Sequence, residues 1–321
     1  MRYKPIVIVA GEPNSIFFEI FFKSLKKIKI KHPLILIASL NLIKLQMDAL
    51  NIKKKITILD PKQLKNYKLN NKNIYLIDVK YKPKKAFENI SNRSAKYVGK
   101  CFDVAFQIIK NEKINKFING PISKKTFLNK KFLGITEYIS SKFNTKKYGM
   151  LIYNKKLSVC PITTHLPLKL VSKKINKKEI SDKVKLIDKF YKSNLKIRAK
   201  IAITGLNPHC ESISEFNEDE KVIKPTIKNL KKQNFKVSGP FPADTIFLKK
   251  NRKKYNVIIG MYHDQVLTPM KTLFEYDAIN ITLGLPFIRI SPDHGPNETM
   301  IGKNQSNPLS LIKAISFLDK N

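Results

Sequence analysis

The sequence predicts an α/β fold with a largely parallel sheet. Short apolar runs rich in β-branched residues alternate along the chain with longer amphipathic stretches, and these two patterns are typical of strands and helices. Most of the apolar runs end in a turn residue, as strands do before a crossover helix. Because ligands of such sheets bind beyond the carboxyl ends of the strands, functional residues are expected there.

Ten apolar runs are predicted to form strands. In chain order they are residues 5–10, 34–39, 56–59, 74–79, 117–120, 148–153, 157–164, 199–205, 256–262 and 279–284. Three amphipathic patterns are predicted to form helices. They are residues 91–110, which open on Ser91, residues 179–195, and a C-terminal segment with Ser306 as its N-cap and Pro308 in its first turn.

The charge balance points to anionic small molecules rather than to nucleic acid. The chain has 321 residues, with 62 basic and 24 acidic side chains and a net charge of +38. Only five of the basic residues are Arg, and the Lys residues are scattered along the whole chain. Nucleic-acid proteins usually cluster their basic residues and use Arg for base and phosphate contacts. We therefore predict no nucleic-acid partner, and a positive field that favours anionic substrates and cofactors.

The cysteines and the apolar segments predict a cytoplasmic protein with no membrane partner. Cys101, Cys160 and Cys210 show no CxxC spacing, which indicates a reducing compartment. The N-terminal residues run directly into a strand and a turn without a signal-peptide pattern. The longest apolar stretch, residues 16–22, is interrupted by Glu19 and is shorter than the roughly 20 residues that span a bilayer.

Three histidines follow three predicted strands. His165 stands in ITTHLPL, His209 ends ITGLNPH and His263 stands in MYHDQ. Three imidazoles suit a divalent metal that keeps open positions for substrate or water. Asp244 and Asp264 are candidates for orienting these ligands. The alternative is that each histidine has a structural role at a strand end.

The other two histidines are weaker candidates. His32, in KIKHPL, is interpreted as part of a surface turn. His294, in SPDHG, follows another apolar strand and is a further candidate ligand.

A second set of polar residues follows the histidines. Lys271 lies eight residues after His263, and Asn280 and Arg289 bracket the segment NITLGLPFIR. Arg is rare in this chain, and a guanidinium at an apolar strand end suits a phosphate or a carboxylate. A surface ion pair is the alternative interpretation of Arg289.

The motifs resemble, in order and over nearly the whole chain, those of the 4-hydroxythreonine-4-phosphate dehydrogenase family. They are GEP (11–13), NGPISK (119–124), TTHLPL (163–168), GLNPH (205–209), GPFPADT (239–245), MYHDQ (261–265), NITLGLPFIR (280–289) and DHG (293–295). The resemblance implies the two-domain α/β/α fold of the isocitrate and isopropylmalate dehydrogenases, with a mostly parallel sheet and the active site in the cleft between domains. The expected domains are residues 1–125 with 275–321, and residues 126–274.

The resemblance also implies a reaction. A homodimer with its active site at the interface is expected to oxidise the 3-hydroxyl of 4-phosphohydroxy-L-threonine with NAD or NADP. The resulting β-keto acid decarboxylates to 3-amino-2-oxopropyl phosphate in the synthesis of vitamin B6. One divalent metal, Zn, Mg, Mn or Co, is expected, with one of its ligands coming from the partner chain.

The roles of individual residues are carried over from matching motifs. The implied metal ligands are His165, His209 and His263. The implied substrate-binding residues are Thr136, Lys271, Asn280 and Arg289, and the candidate catalytic residues are Lys271 and Asp244.

The chain departs from the family pattern at four places. Ile135, in GITE, stands where the family has a substrate-binding His, and GEPNSIFFE (11–19) replaces a glycine-rich GEPAGIGPE. HCESISE (209–215) lacks the glycines of the family's HAGEGG run, and Pro296 and Asn297 replace small residues. These departures leave two alternatives open: a dehydrogenase of 4-phosphothreonate or 4-phosphoerythronate, and a non-catalytic metal- or nucleotide-binding protein. The net charge of +38 leaves a nucleic-acid binder as a third.

Overall fold

The computed structural model confirms the α/β class. It describes residues 4–129, 131–212 and 216–320. Within these residues the strands are β1 (Ile6–Val9), β2 (Leu34–Ala38), β3 (Ile56–Ile58), β4 (Ile74–Asp78), β5 (Lys116–Asn119), β6 (Gly149–Tyr153), β7 (Ser158–Thr163), β8 (Ile201–Thr204), β9 (Val237–Phe241), β10 (Val257–Tyr262), β11 (Ile279–Leu283) and β12 (Ile288–Pro292).

The α-helices of the described residues lie between these strands and at the C-terminus. They are α1 (Phe17–Lys27), α2 (Leu40–Ala49), α3 (Arg93–Asn111), α4 (Ile135–Lys142), α5 (Val171–Lys174), α6 (Lys177–Phe190), α7 (Lys224–Lys232), α8 (Ala243–Ile246), α9 (Lys249–Arg252), α10 (His263–Phe274) and α11 (Leu309–Lys320). None of the helices in the described ranges is both long and apolar enough to cross a bilayer.

The chain divides into two compact units. The first is formed by residues 1–139 and 286–321, and the second by residues 140–285. The first boundary falls inside α4. The predicted domain division placed the boundaries earlier, after residues 125 and 274.

The first unit is built on a parallel sheet. Its strand order is β3–β4–β2–β1–β5–β12, and every neighbouring pair runs in the same direction. All residues of β1 and β2 are buried, as is usual for parallel strands covered on both faces. The carboxyl ends of β1, β5 and β12 therefore lie side by side at one edge.

The second unit contains a mixed sheet. Its strand order is β11–β6–β7–β10–β8–β9. Neighbouring strands from β7 to β9 are parallel, whereas β6 is antiparallel to both β11 and β7. The carboxyl ends of β7, β10 and β8 are consequently neighbours, and these are the strands that precede His165, His263 and His209.

Helix α3 shows how the amphipathic patterns are used. Val98, Phe102, Ala105 and Ile109 are buried on one face of α3, as the helical spacing predicted. The predicted helix at 179–195 is α6 followed by a π-turn over Tyr191–Leu195.

Two elements differ from the sequence-based prediction. Strand β9 was not predicted, because VSGPF contains Gly and Pro, residues that usually interrupt strands. It lies at the edge of the sheet, where a missing backbone donor is tolerated. Ser306 does not cap α11, which begins only at Leu309; the Ser306 amide instead donates to Glu19 Oε1 at 2.6 Å.

Candidate functional site

His165 and His263 lie together at the ends of two neighbouring strands. Strands β7 and β10 are parallel, with Thr163 opposite Tyr262. His165 follows β7 by two residues and His263 begins α10. Their ring centroids are 5.8 Å apart and their planes are inclined by 37°. The structure thus brings two of the three predicted metal ligands together.

Asp264 orients His263. His263 Nδ1 lies 2.5 Å from Asp264 Oδ1, and the imidazole is 33% exposed whereas the carboxylate is 79% exposed. A carboxylate that holds the Nδ1 proton leaves Nε2 available as a ligand atom. The pair therefore has the arrangement that a metal-binding histidine requires.

His209 occupies an exposed and strained turn. It lies in the 3₁₀ turn Pro208–Cys210 after β8, with φ of 57°, and Cys210 follows with φ of 63°. In the part of the chain that the structure describes, no group of three or more His, Cys, Asp or Glu side chains is placed to hold a metal ion. Asp244 is exposed on α8.

The residues present fit a divalent metal. Two imidazoles that bind one tetrahedral ion at about 2.1 Å have ring centroids roughly 5 Å apart, so the 5.8 Å between His165 and His263 requires only a small adjustment. Neutral imidazole is a common ligand for such ions. Burial and the Asp219 carboxylate raise the pKa of the buried Cys210 thiol.

Arg289 forms a buried cationic group in the first unit. The side chain lies on β12 and is fully buried. Its Nε donates to Asn119 Oδ1 at 2.6 Å, and its Nη1 donates to Thr136 Oγ1 at 3.4 Å. Burial lowers the pKa of Arg289 to about 9, while the Glu137 carboxylate acts in the opposite direction. The guanidinium therefore remains charged at neutral pH, and it is not the surface ion pair of the alternative interpretation.

Two of the predicted substrate residues are thus in contact, namely Thr136 and Arg289. The other two belong to the second unit, where Lys271 is partly buried on α10 and Asn280 lies on β11. Asn280 Oδ1 is buried and makes no hydrogen bond to the described residues. It is an acceptor available to a ligand.

Two polar residues of the first unit, Asn119 and Glu12, were not named individually as candidate site residues from the sequence. Asn119, which orients Arg289, stood inside the quoted motif NGPISK, so a signal for it existed. Glu12, in GEP, is also buried, and it accepts a hydrogen bond from Ser94 Oγ at 2.9 Å. Burial raises the pKa of Glu12 to about 7, although hydrogen bonds from Ser94 and from the Asn14 amide lower it.

The departures at residues 11–19 and at Pro296 are accommodated locally, whereas residues 213–215 of HCESISE lie outside the described residues. Ser15 Oγ donates to the Glu12 carbonyl at 2.7 Å, which stabilises the turn without a glycine. Phe17 is 1% exposed, stacks on Phe21 at a centroid distance of 5.9 Å, and lies over Gly120, where a Cβ would approach its ring to 2.6 Å.

The loop after β1 also contacts the loops of its neighbours. The Glu12 amide donates to the Pro121 carbonyl at 2.8 Å, and the Ile16 amide donates to the Pro296 carbonyl at 3.2 Å. Two of the altered segments thus support each other.

The remaining histidines, His32 and His294, belong to the first unit. His32 is not a surface residue as predicted; it is 8% exposed, with Nδ1 2.8 Å from Asp319 Oδ1 and Nε2 2.8 Å from Lys116 Nζ. These partners come from distant parts of the chain, so a local sequence pattern could not reveal them. His294 belongs to the first unit, and its Nδ1 lies 3.0 Å from the Gly295 carbonyl.

Comparisons with known proteins agree with the motif pattern. A family model described as pyridoxal phosphate biosynthetic protein PdxA matches residues 29–318. A protein named 4-hydroxythreonine-4-phosphate dehydrogenase from Sulfurihydrogenibium sp. (strain YO3AOP1) is 36% identical over 320 residues, covering 97% of this chain and 96% of that protein. A protein named D-threonate 4-phosphate dehydrogenase from Salmonella typhimurium is 28% identical over 301 residues and 92% of each chain.

Solved structures of similar fold include a protein with the same name as the first of these relatives. A crystal structure of 4-hydroxythreonine-4-phosphate dehydrogenase from Klebsiella pneumoniae has a TM-score of 0.81, with 25% identity and 98% of each chain covered. The isocitrate dehydrogenase from Methylococcus capsulatus has a TM-score of 0.52 at 9% identity, covering 98% of this chain and 84% of that one. This second likeness supports the predicted fold class alone.

Proposed function

Because the chain belongs to the family of the pyridoxal phosphate biosynthetic protein PdxA, we propose that it oxidises 4-phosphohydroxy-L-threonine at its 3-hydroxyl. The β-keto acid so formed decarboxylates to 3-amino-2-oxopropyl phosphate in the synthesis of pyridoxal phosphate. The observation that carries the proposal is the pairing of His165 with the Asp264-bound His263 at neighbouring strand ends.

The buried residues of the first unit bind the anionic end of the substrate. Arg289 is held by Asn119 and Thr136, so its charge is already oriented when the substrate arrives. A guanidinium binds phosphate or carboxylate through paired hydrogen bonds. In the second unit, Asn280 Oδ1 offers an acceptor, and Lys271 is the candidate for a second cation and for proton transfer at Nζ. Asp244 is the candidate for a supporting carboxylate near the histidines.

His165, His209 and His263 are the proposed metal ligands. When bound, a divalent metal supplies Lewis-acid polarisation of the substrate hydroxyl, and NAD or NADP supplies the hydride acceptor. Asp264 fixes the ring of His263 before binding. Arg289 and Lys271 place positive charge for the phosphate and the carboxylate. A cation beside the β-keto group would stabilise the enolate that forms as the β-keto acid loses carbon dioxide.

A homodimer is part of the proposal. The described residues of one chain contain no complete three-ligand group, and a partner chain that contributes one histidine would complete the site. Mixing His209→Ala with His263→Ala protein tests this idea. Recovery of activity in the mixture is expected if ligands are shared across an interface, and a monomer in sedimentation experiments would contradict it.

The deciding experiment measures NADH or NADPH formation on 4-phosphohydroxy-L-threonine with and without added Zn²⁺, Mg²⁺, Mn²⁺ or Co²⁺. The Ile135→His variant serves as a comparison, because isoleucine offers no hydrogen bond to the substrate. A lost hydrogen bond to a charged group costs about 1.5–3 kcal/mol, so KM is expected to fall roughly ten- to hundred-fold in the variant. No turnover by either protein would contradict the proposed substrate.

D-threonate 4-phosphate is the second candidate substrate. Ile135 favours it, since the imidazole expected for the first substrate is missing, and a relative with that activity in its name matches over 92% of this chain. Parallel assays with D-threonate 4-phosphate and 4-phosphoerythronate separate these possibilities by kcat/KM. A protein that binds metal but reduces no cofactor with any of the three would be a non-catalytic descendant.

The compartment and the partners follow from bulk features. The cysteines are buried free thiols, which supports the proposed cytoplasmic location because such thiols are typical of a reducing compartment. The scattered lysines support an anionic small-molecule partner. A nucleic-acid role would instead be indicated by an affinity that falls steeply with salt.

A further inference from the structure

Gln265, the last residue of MYHDQ, links the strand ends that precede the predicted histidines. Its Oε1 accepts hydrogen bonds from the Met261 amide at 2.7 Å and from Thr204 Oγ1 at 2.8 Å. Its Nε2 donates to the Gly205 carbonyl at 2.9 Å. One side chain therefore binds the end of β10 and the end of β8 at the same time.

These partners leave the amide of Gln265 only one orientation. The Met261 N–H can only donate, so it faces Oε1, and the Gly205 carbonyl can only accept, so it faces Nε2. Gly260 provides the space, because a Cβ there would lie 3.0 Å from Gln265 Oε1 and 2.4 Å from Val266 Cγ1. Backbone groups thus determine the contact, which makes it more specific than a pairing of two flexible side chains.

A second hydrogen bond joins β7 to the same point. Thr163 Oγ1 donates to the Met261 carbonyl at 2.8 Å. His165 follows Thr163 by two residues, and His263 follows Met261 by two. The ends of β7, β10 and β8 are therefore connected through Met261 and Gln265.

The loop after β8 depends on such anchors because its conformation is unfavourable. His209 has a left-handed φ of 57°, which residues other than glycine seldom adopt. The buried Asp219 holds the start of the loop by accepting the amides of Leu206 at 2.9 Å and Asn207 at 3.1 Å. Gln265 holds the residue before them, Gly205.

We propose that Gln265 is a positioning residue that holds the loop carrying His209 against the helix start carrying His263. The inference rests on the proposed function, in which both histidines are metal ligands. Without the bond to Gly205, the loop samples positions from which His209 cannot reach an ion, whether that ion lies in the same chain or across the interface of the proposed dimer. The affinity for the ion falls for that reason, although every ligand side chain is still present.

The test compares metal-free full-length protein with its Gln265→Glu variant. Glutamate keeps an acceptor for Met261 and Thr204 but replaces the donor to Gly205 with an oxygen that repels the carbonyl. We expect faster amide hydrogen exchange at residues 206, 207, 209 and 210. Zn²⁺ affinity, measured by competition with a chromophoric chelator, is expected to fall about ten- to hundred-fold, the usual effect of losing a residue that supports a ligand.

Tyr191→Phe is the matched control. It removes a buried hydrogen bond, from Tyr191 Oη to Ser158 Oγ at 2.9 Å, at the other end of β7. Its loop exchange and Zn²⁺ affinity should equal those of the unmodified protein. If Gln265→Glu does not fold, Thr204→Val removes one bond to Oε1 and is expected to change both readouts in the same direction.

Two results would overturn the proposal. One is loop exchange and Zn²⁺ affinity within about two-fold of the unmodified protein, well below the effect of losing a supporting residue. The other is an equal loss in Tyr191→Phe, which indicates general destabilisation. Faster loop exchange in a protein that binds no Zn²⁺ at all would support the positioning role and contradict the proposed metal site, so the two failures are distinguishable.

Discussion

The contact between Asn119 and Arg289 shows what a single residue contributes to the proposed substrate site. Arg289 could be singled out from the sequence, because it is a rare Arg at an apolar strand end. The orientation of its side chain could not be predicted from the sequence, because Asn119, which accepts its hydrogen bond, is 170 positions away in the chain. The His263–Asp264 pair could be predicted because the two residues are adjacent. Short-range arrangements were therefore accessible to sequence reasoning, and long-range ones were not.

Asn119→Ala is expected to weaken substrate binding. It removes the acceptor for Arg289 Nε and leaves a buried charged donor without that bond, which costs about 1.5–3 kcal/mol. We expect KM to rise roughly ten- to hundred-fold with a smaller change in kcat, as measured by steady-state kinetics. Ser24→Ala, which removes a buried hydrogen bond within α1, is the control, and a rise in KM there as well would refute a specific role for Asn119.

Glu12 is expected to make stability depend on pH. Its folded pKa of about 7 lies above the ordinary 4.5, so the folded state holds the proton more tightly than the unfolded state. The contribution of the protonated Glu12 to the free energy of unfolding is fully present below pH 4.5. It is lost as the pH rises through 7, and amounts to roughly 3 kcal/mol in total. Thermal unfolding at pH 5 and pH 8 should show that Glu12→Gln loses less stability between these pH values than the unmodified protein. An equal loss of stability in both proteins would exclude Glu12 as the cause.

At the scale of elements, the predicted strands were recovered because apolar β-branched runs depend on local composition. Strand β9 was missed because its neighbour β8, not its own sequence, makes it a strand. The start of α11 was misplaced because Ser306 does not cap the helix; its amide donates a hydrogen bond to the Glu19 carboxylate instead. Both errors have one physical cause: partners distant in the chain override local preference.

Asp319 is expected to anchor the end of α11. It accepts the amides of Lys31 and His32 at 2.8 and 2.9 Å, and it contacts the His32 ring. Burial alone would raise the pKa of Asp319, but these hydrogen bonds from His32 and Lys31 outweigh it and lower the pKa below 3.8. The stabilisation is therefore present above pH 3.8 and is lost as pH falls through the lower folded value.

Asp319→Asn is expected to reduce the free energy of unfolding by about 1–3 kcal/mol near neutral pH. Urea unfolding between pH 3 and pH 7 should show that this difference shrinks in acid. Asp182→Asn is the control, because its ion pair with the exposed Lys147 is worth at most about 1 kcal/mol. A difference for Asp319→Asn that does not change with pH would rule out the ionised carboxylate as its source.

At the scale of the whole molecule, the α/β class and the mostly parallel sheets were predictable from alternating patterns. The predicted domain division, residues 1–125 with 275–321 and residues 126–274, stays a prediction, and the first unit boundary of the structure falls within helix α4. The net charge of +38 likewise describes the molecule as a whole rather than one site.

This charge predicts a salt effect on catalysis. A positive field raises the local concentration of a phosphorylated substrate, and salt screens it over about 10 Å at 0.1 M. We expect kcat/KM to fall several-fold between about 0.02 M and 0.2 M NaCl. An uncharged osmolyte at equal osmolality should have no such effect, and salt-independent kinetics would show that the lysines do not steer the substrate.

The burial of Phe17 limits which residues position 17 tolerates. The ring fills the space over Gly120 and stacks on Phe21, where the family pattern has a glycine in the loop. Restoring that glycine alone would open a void and cost about 3–5 kcal/mol, as truncation of a buried Phe does. A glycine at position 17 would therefore be tolerated only together with substitutions that refill the space around Phe21 and Gly120.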